Sequence, residues 1–185
     1  MKQIKKYQKK GIFTVNQLSY LFKPRKQRKS KKKKKILFNY RPELQALSIR
    51  TKKIYIQELP DIPINKIGLY LDIEGIPDRN LFYLIGLLVI KNGEQQYFPF
   101  WADSLNDENK MWIDFGKKII EYPGLPIYHY GSYDSRAINQ LAGRYGDIED
   151  LKNRLINVTS YIYGKIYFPI TSNELKKLGA YIGAT

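Results

Sequence analysis

The 185-residue sequence has no cysteine and only one histidine, His129. The missing cysteines exclude a disulfide framework and any thiolate metal site, and they agree with a cytoplasmic location. Long hydrophobic runs are absent as well. The most apolar stretch, residues 81–90, is too short to span a bilayer. The lysine-rich start lacks the apolar centre of a signal peptide, so a cytoplasmic protein without a membrane partner is expected. Acids are scarce at one end of the chain. Residues 1–66 carry 20 Lys and Arg against three acids, Glu43, Glu58 and Asp61, whereas residues 67–185 carry 12 bases against 14 acids. A polycation joined to a chain of ordinary composition points to a polyanionic partner, of which nucleic acid is the commonest.

Apolar spacing and breakers divide the chain into a basic region, 1–66, and a folded region, 67–185. In the first, Thr14 caps a short helix over about 15–22, and a second helix runs over about 42–50, followed by an extended "KIYIQEL". Between the helices lies the densest charge in the chain: Lys23, Arg25, Lys26, Arg28, Lys29, Lys31, Lys32, Lys33, Lys34 and Lys35. Such a run cannot bury itself and is expected to be disordered when free. It serves either as an arm that holds phosphates or as a solubility tail.

From residue 67 the pattern sharpens. "IGLYLDIEG", "LFYLIGLLVIK" and "EQQYFPFWA" read as three strands, the last two joined at Asn92-Gly93, a hairpin signal. A helix follows through Met111, Trp112, Phe115 and Ile119, capped by Asn106 or Asp107. Next come a short strand "PIYHYG", a helix over "SYDSRAINQLAGRYG", a short helix in "DIEDLKNRL", a partly extended "INVTSYIYGKIYF" and a last helix from Ser172. Trp101 and Trp112 read as core, and Tyr70, Tyr83 and Tyr128 as core or sheet surface. The order resembles the ribonuclease H-like layout: an α/β fold with a mixed sheet, antiparallel in its first three strands, and flanking helices.

"LYLDIEGIPD" places Asp72 and Glu74 on one face of a strand whose other face is Leu69, Leu71 and Ile73. Two carboxylates at that spacing repel. The face is either wet, carrying two ordinary acids, or built for a divalent cation, which hard oxygen ligands would hold. "PIYHYGSYDSRAI" adds a glycine turn at Gly131 and Asp134 in the first helical turn. An acid is favoured there by the helix dipole alone, and its position also suits a third metal-site carboxylate.

"YLDIEGIPDRNLFYLIGLLV", "FPFWAD" and "PIYHYGSYDSRAINQLAGRYG" together resemble the YprB-type ribonuclease H-like domain, a member of the DEDD exonuclease superfamily that occurs with RecB-like nucleases. The similarity runs from about residue 36 to 185 and is strongest from 67. It sets Asp72 and Glu74 at the first family motif and His129, Tyr133 and Asp134 at the second. The resemblance implies two divalent cations, Mg²⁺ or Mn²⁺, with Asp72 bridging both, Glu74 completing one site and Asp134 holding the second through water. A pair of such ions would activate a water and stabilise the leaving oxygen of a phosphodiester. It also implies a fourth carboxylate in a helix beyond Thr185 and a RecB-like half ahead of the domain. The chain is therefore expected to be a fragment that holds three of the four carboxylates and shows little or no hydrolysis alone, with RecB-like and C-terminal segments on separate chains as candidate partners.

His129 is either near substrate or a strand histidine bonded to backbone. Tyr130 and Tyr133 are candidate substrate contacts, and Arg136 holds a phosphate or is a solvated surface arginine. Two functions follow. One is a metal-dependent nuclease of the 3′–5′ exonuclease type, acting on single strands or DNA ends. The other is a nucleic-acid-binding remnant that does not cleave.

Overall fold

The computed structural model describes residues 2–24 and 40–184. Of the arm, Lys23 falls within them and is exposed, whereas Arg25 to Lys35 lie outside the described residues. The described chain forms two compact units, Ile62–Ser160 and a second built from the residues on either side.

The first unit holds a five-stranded sheet. Strand β2 (Ile67–Ile76) runs antiparallel to β3 (Leu81–Lys91), and β3 antiparallel to β4 (Glu94–Trp101). On its other side β2 pairs in parallel with β5 (Ile127–His129), which pairs in parallel with β6 (Leu155–Asn157). The order β4-β3-β2-β5-β6 is the mixed sheet expected, with its first three strands antiparallel. The hairpin turn at Asn92-Gly93 has positive φ at both residues, +54° and +85°, as a two-residue hairpin loop requires.

One face of the sheet builds the core. Leu69, Leu71 and Ile73 of β2 and Ile85, Leu87 and Val89 of β3 are buried under helices α4 (Leu105–Ile120) and α5 (Tyr133–Tyr145). Helix α4 contributes Met111, Trp112, Phe115 and Ile119, and α5 contributes Ala137, Ile138 and Leu141. These are the i, i+3, i+4 stripes of amphipathic helices. Helix α4 starts earlier than expected: its N-cap is Ser104 rather than Asn106 or Asp107, and the Ser104 hydroxyl donates to Asp107 Oδ2 at 2.7 Å. Asp107 and Glu108 in its first turn and Lys117 and Lys118 in its last suit the helix dipole. Short helix α6 (Leu151–Arg154) precedes β6.

The second unit contains α1 (Lys2–Gln8), α2 (Val15–Ser19) and α3 (Pro42–Thr51). Thr14 caps α2 as expected, in a capping box with Gln17. Of the extended "KIYIQEL" only β1 (Tyr55–Ile56) pairs, antiparallel to β7 (Ile166–Tyr167). The last helix, α8 (Leu175–Ile182), begins after Glu174 rather than at Ser172. Helix α7 (Thr159–Ile162) lies where the units meet in sequence. The core of this unit centres on Leu44 and Tyr167. The Tyr167 hydroxyl accepts from the Arg41 N–H at 2.9 Å and its carbonyl accepts from Ser48 Oγ at 2.9 Å. Among the described residues no helix is long and apolar enough to cross a membrane.

Candidate active site

Strand β2 alternates as its sequence demands, with Leu69, Leu71 and Ile73 buried and Tyr70, Asp72 and Glu74 exposed. Asp72 lies opposite Gly86 of β3, and Glu74 opposite Leu84. Directly after Glu74 the register slips by a bulge, which lets Gly75 face Phe82. A side chain at Gly75 could not be accommodated. Its Cβ would fall 2.7 Å from the Tyr133 hydroxyl and 2.9 Å from the Leu81 carbonyl oxygen. The glycine thus allows the first residue of α5 to rest against the strand that carries the acids.

Asp134, next in α5, is only 4% exposed. Its Oδ1 accepts from the backbone N–H of Ile73 at 3.1 Å. Strand β5 pairs with β2 only at Leu69 and Tyr70, so Asp134 satisfies a strand donor beyond the end of that ladder. The dipole reading of Asp134 is therefore incomplete: the side chain fastens the start of α5 to β2, between Asp72 and Glu74 in sequence. His129, at the end of β5, is buried, with Nδ1 3.6 Å from Asp134 Oδ2 and without a hydrogen-bond partner among the described residues. Its carbonyl accepts from the Val158 N–H at 2.9 Å.

The three carboxylates share one field. Partial burial, then the negative charge of Asp134, then that of Glu74 push the Asp72 carboxyl above the usual carboxylate range, while the Ile73 N–H pulls it back. Among the described residues no Lys or Arg pairs with Asp72 or Glu74. Hard oxygen donors under unrelieved repulsion fit a divalent cation in chemistry. In placement the fit is partial. Among the described residues no group of three or more His, Asp or Glu is arranged to hold a metal ion; Asp134 Oδ1 is engaged by the Ile73 N–H, whereas Asp72 and Glu74 face outward.

Tyr133 and Arg136 line a cavity of about 250 Å³ with Ile76, Phe82 and Gln140. Burial first, then Glu74 and Asp134, raise the Tyr133 hydroxyl above its ordinary value, so it is a donor at neutral pH. Arg136 is exposed, with Nε donating to the Ser132 carbonyl at 3.1 Å. Tyr130 follows β5, half-buried, its hydroxyl raised by burial.

Several residues that shape this site escaped the sequence reading. Glu108 is fully buried. Its Oε1 accepts from the Phe82 N–H at 2.7 Å, and its Oε2 accepts from Arg144 at 2.6 Å and from the Tyr145 hydroxyl at 2.7 Å. Arg144 also donates to the carbonyl and side-chain oxygens of Asn80, at 3.0 and 2.6 Å, fixing the β2–β3 connector that borders the cavity. The available signal was position: Glu108 stands three and four residues before Met111 and Trp112, on the apolar stripe. Asn157 similarly holds the turn after β5, its Oδ1 accepting from the N–H groups of Gly131 and Thr159 at 3.1 and 3.0 Å. Trp101 corrects an expectation. Trp112 is core, but Trp101 is 59% exposed, because Phe98 and Phe100 take the core face of β4.

A mixed sheet in this order, with paired acids on its central strand and a third at the start of the helix after β5, defines a ribonuclease H-like domain. Residues 69–185 match the profile of RNase_H_2, of the RNase H superfamily, and the chain belongs to that family. No curated protein and no solved structure matches the chain.

Proposed function

We propose that the chain is a metal-dependent nuclease of the 3′–5′ exonuclease type, close to the YprB-type domains associated with RecB-like nucleases. The observation that supports this reading is the common field of Asp72, Glu74 and Asp134 within a ribonuclease H-like sheet. Asp72 and Glu74, exposed, would hold Mg²⁺ or Mn²⁺ directly, with Asp134 acting through water. Bound there, the cations supply an activated water and neutralise charge on the leaving oxygen. Tyr133 would donate a hydrogen bond to substrate, Arg136 would meet a phosphate, and Tyr130 would border the strand end. Buried His129 would pack beside Asp134 and not touch substrate.

The engagement of Asp134 by Ile73 favours a second reading, a module of the same fold that binds nucleic acid without cleaving it. One assay separates them. On the nuclease reading, a 5′-labelled single strand incubated with Mn²⁺ shortens from its 3′ end, and Asp72→Asn slows this by at least roughly 100-fold. Retention of an intact strand under conditions of full binding would establish the second reading. Shortening that Asp72→Asn leaves unchanged would place the chemistry elsewhere.

A further inference from the structure

The face of the sheet that carries the acids has three rungs across β2, β3 and β4. They are Tyr70–Leu88–Tyr97, Asp72–Gly86–Pro99 and Glu74–Leu84–Trp101. Tyr70, Tyr97 and Trp101 are 43, 55 and 59% exposed, unusually open for large aromatics in a sheet. Two of them lie down on glycines. The Cβ of a residue at Gly86 would fall 2.6 Å from the Tyr97 hydroxyl, and one at Gly68 would fall 2.7 Å from Tyr70 Cε2. The end of each ring thus lies within contact distance of the strand backbone at a glycine, where any side chain would displace it. Trp101 stacks on Tyr83 at 6.2 Å between centroids, with 22° between the planes. Strand spacing sets the β4 aromatics roughly 10 Å from the acids on β2, and successive rungs are about 7 Å apart.

The geometry points to a platform for unpaired nucleobases, in which bases of a single strand stack on Trp101 and Tyr97 while its backbone passes the acids of β2. This deepens the nuclease reading and rests on its nucleic-acid substrate. The chemistry selects the occupant. None of the nine rung positions is Lys or Arg, so these rungs select for base faces rather than for phosphate. Paired bases in a duplex do not expose the faces that stacking needs, whereas single strands do. An apolar protein partner, or a second copy of this chain, would have to bury Asp72 and Glu74 unpaired.

Trp101 is its own probe, because the chain's other tryptophan, Trp112, is only 2% exposed. Oligo(dT) titrated into the full chain in EDTA, which removes hydrolysis from the readout, is expected to quench tryptophan fluorescence saturably. An abasic strand of equal charge should not, and Trp101→Phe should abolish the signal. By anisotropy of a labelled strand, Trp101→Ala and Tyr97→Ala should each weaken binding roughly 5- to 150-fold. Equal quenching by the abasic strand, or unchanged affinity in both alanine variants, would overturn the platform. So would a doubling of mass by sedimentation that Trp101→Ala removes, which would make this face an interface between copies. Intact quenching without hydrolysis in Mn²⁺ would defeat the nuclease reading and leave the platform standing.

Discussion

The two units differ most sharply in how they treat charge. Residues 62–160 carry ten bases against 13 acids, and the remainder carries 22 bases against four. In the sheet unit, charge is placed singly and for geometry: Glu108 is buried with three donors, Asp134 is buried on a strand N–H, and Asp72 and Glu74 face outward with no Lys or Arg partner among the described residues. In the basic part, charge is massed and sequence-local. Its described arginines serve packing, with Arg41 over the Phe22 ring at 4.6 Å and Arg50 over Tyr20 at 4.3 Å. The difference suggests a division of labour. A unit that is net acidic and presents outward carboxylates repels a polyanion, so under the proposed function attraction would come from the basic part and discrimination from the sheet.

The largest effect that would break this contrast concerns Glu108. If charge in the sheet unit is architectural, Glu108→Ala strands the Phe82 N–H, the Arg144 guanidinium and the Tyr145 hydroxyl together. The expected loss, read by denaturant unfolding, is about 3 kcal/mol, at the low end for broken buried pairs because Arg144 is partly solvated. A loss below about 1 kcal/mol would mean that the network is dispensable.

The basic part is tested by salt. If about five of the ten charges from Lys23 to Lys35 engage a single strand, the log–log slope of affinity against salt should be around −3.5, roughly 100-fold between about 50 and 200 mM. Deleting residues 23–35 should flatten it. An unchanged slope would assign attraction to the globular part and reduce the arm to a solubility tail.

A smaller effect sharpens the account of the bare acids. The folded-state pKa of Asp72 is raised, so the folded protein holds its proton more tightly than the unfolded chain does. Its ionisation therefore costs stability as pH rises from the ordinary value of 3.8 through the raised one, and the whole penalty is present at pH 7. Asp72→Asn should raise the melting temperature slightly at pH 7, and the gain should vanish below the ordinary carboxylate range. Because Asp72 is only partly buried and solvent screens its charge, the effect is small. A variant that melts lower than wild type at pH 7 would show that the carboxylate is already paired.

How much of this was legible varies with how local the cause is. The alternation of β2, the Asn92-Gly93 turn and the Thr14 cap are written in adjacent residues and are realised as read. The start of α4 was misplaced by two or three residues because Asn106 and Asp107 are acceptable caps, although Ser104 three residues before Asp107 is itself a start signal written in adjacent residues. Trp101 was misjudged because alternation tells which face a side chain takes but not whether anything covers that face. Asp134 was legible as an acid at a helix start. Its grip on Ile73 depends on where β5 stops pairing, 61 residues from its partner in sequence, which no local pattern encodes.

Melting with and without Mn²⁺ tests the central claim most directly, because it asks about the carboxylates whether or not the chain turns over substrate. A cation that binds only the folded state stabilises it by about 2.7 kcal/mol at 100 times its Kd. The account predicts an upward shift of that order for wild type and its loss in Asp72→Asn. A wild-type melting curve that saturating Mn²⁺ leaves unmoved would contradict it.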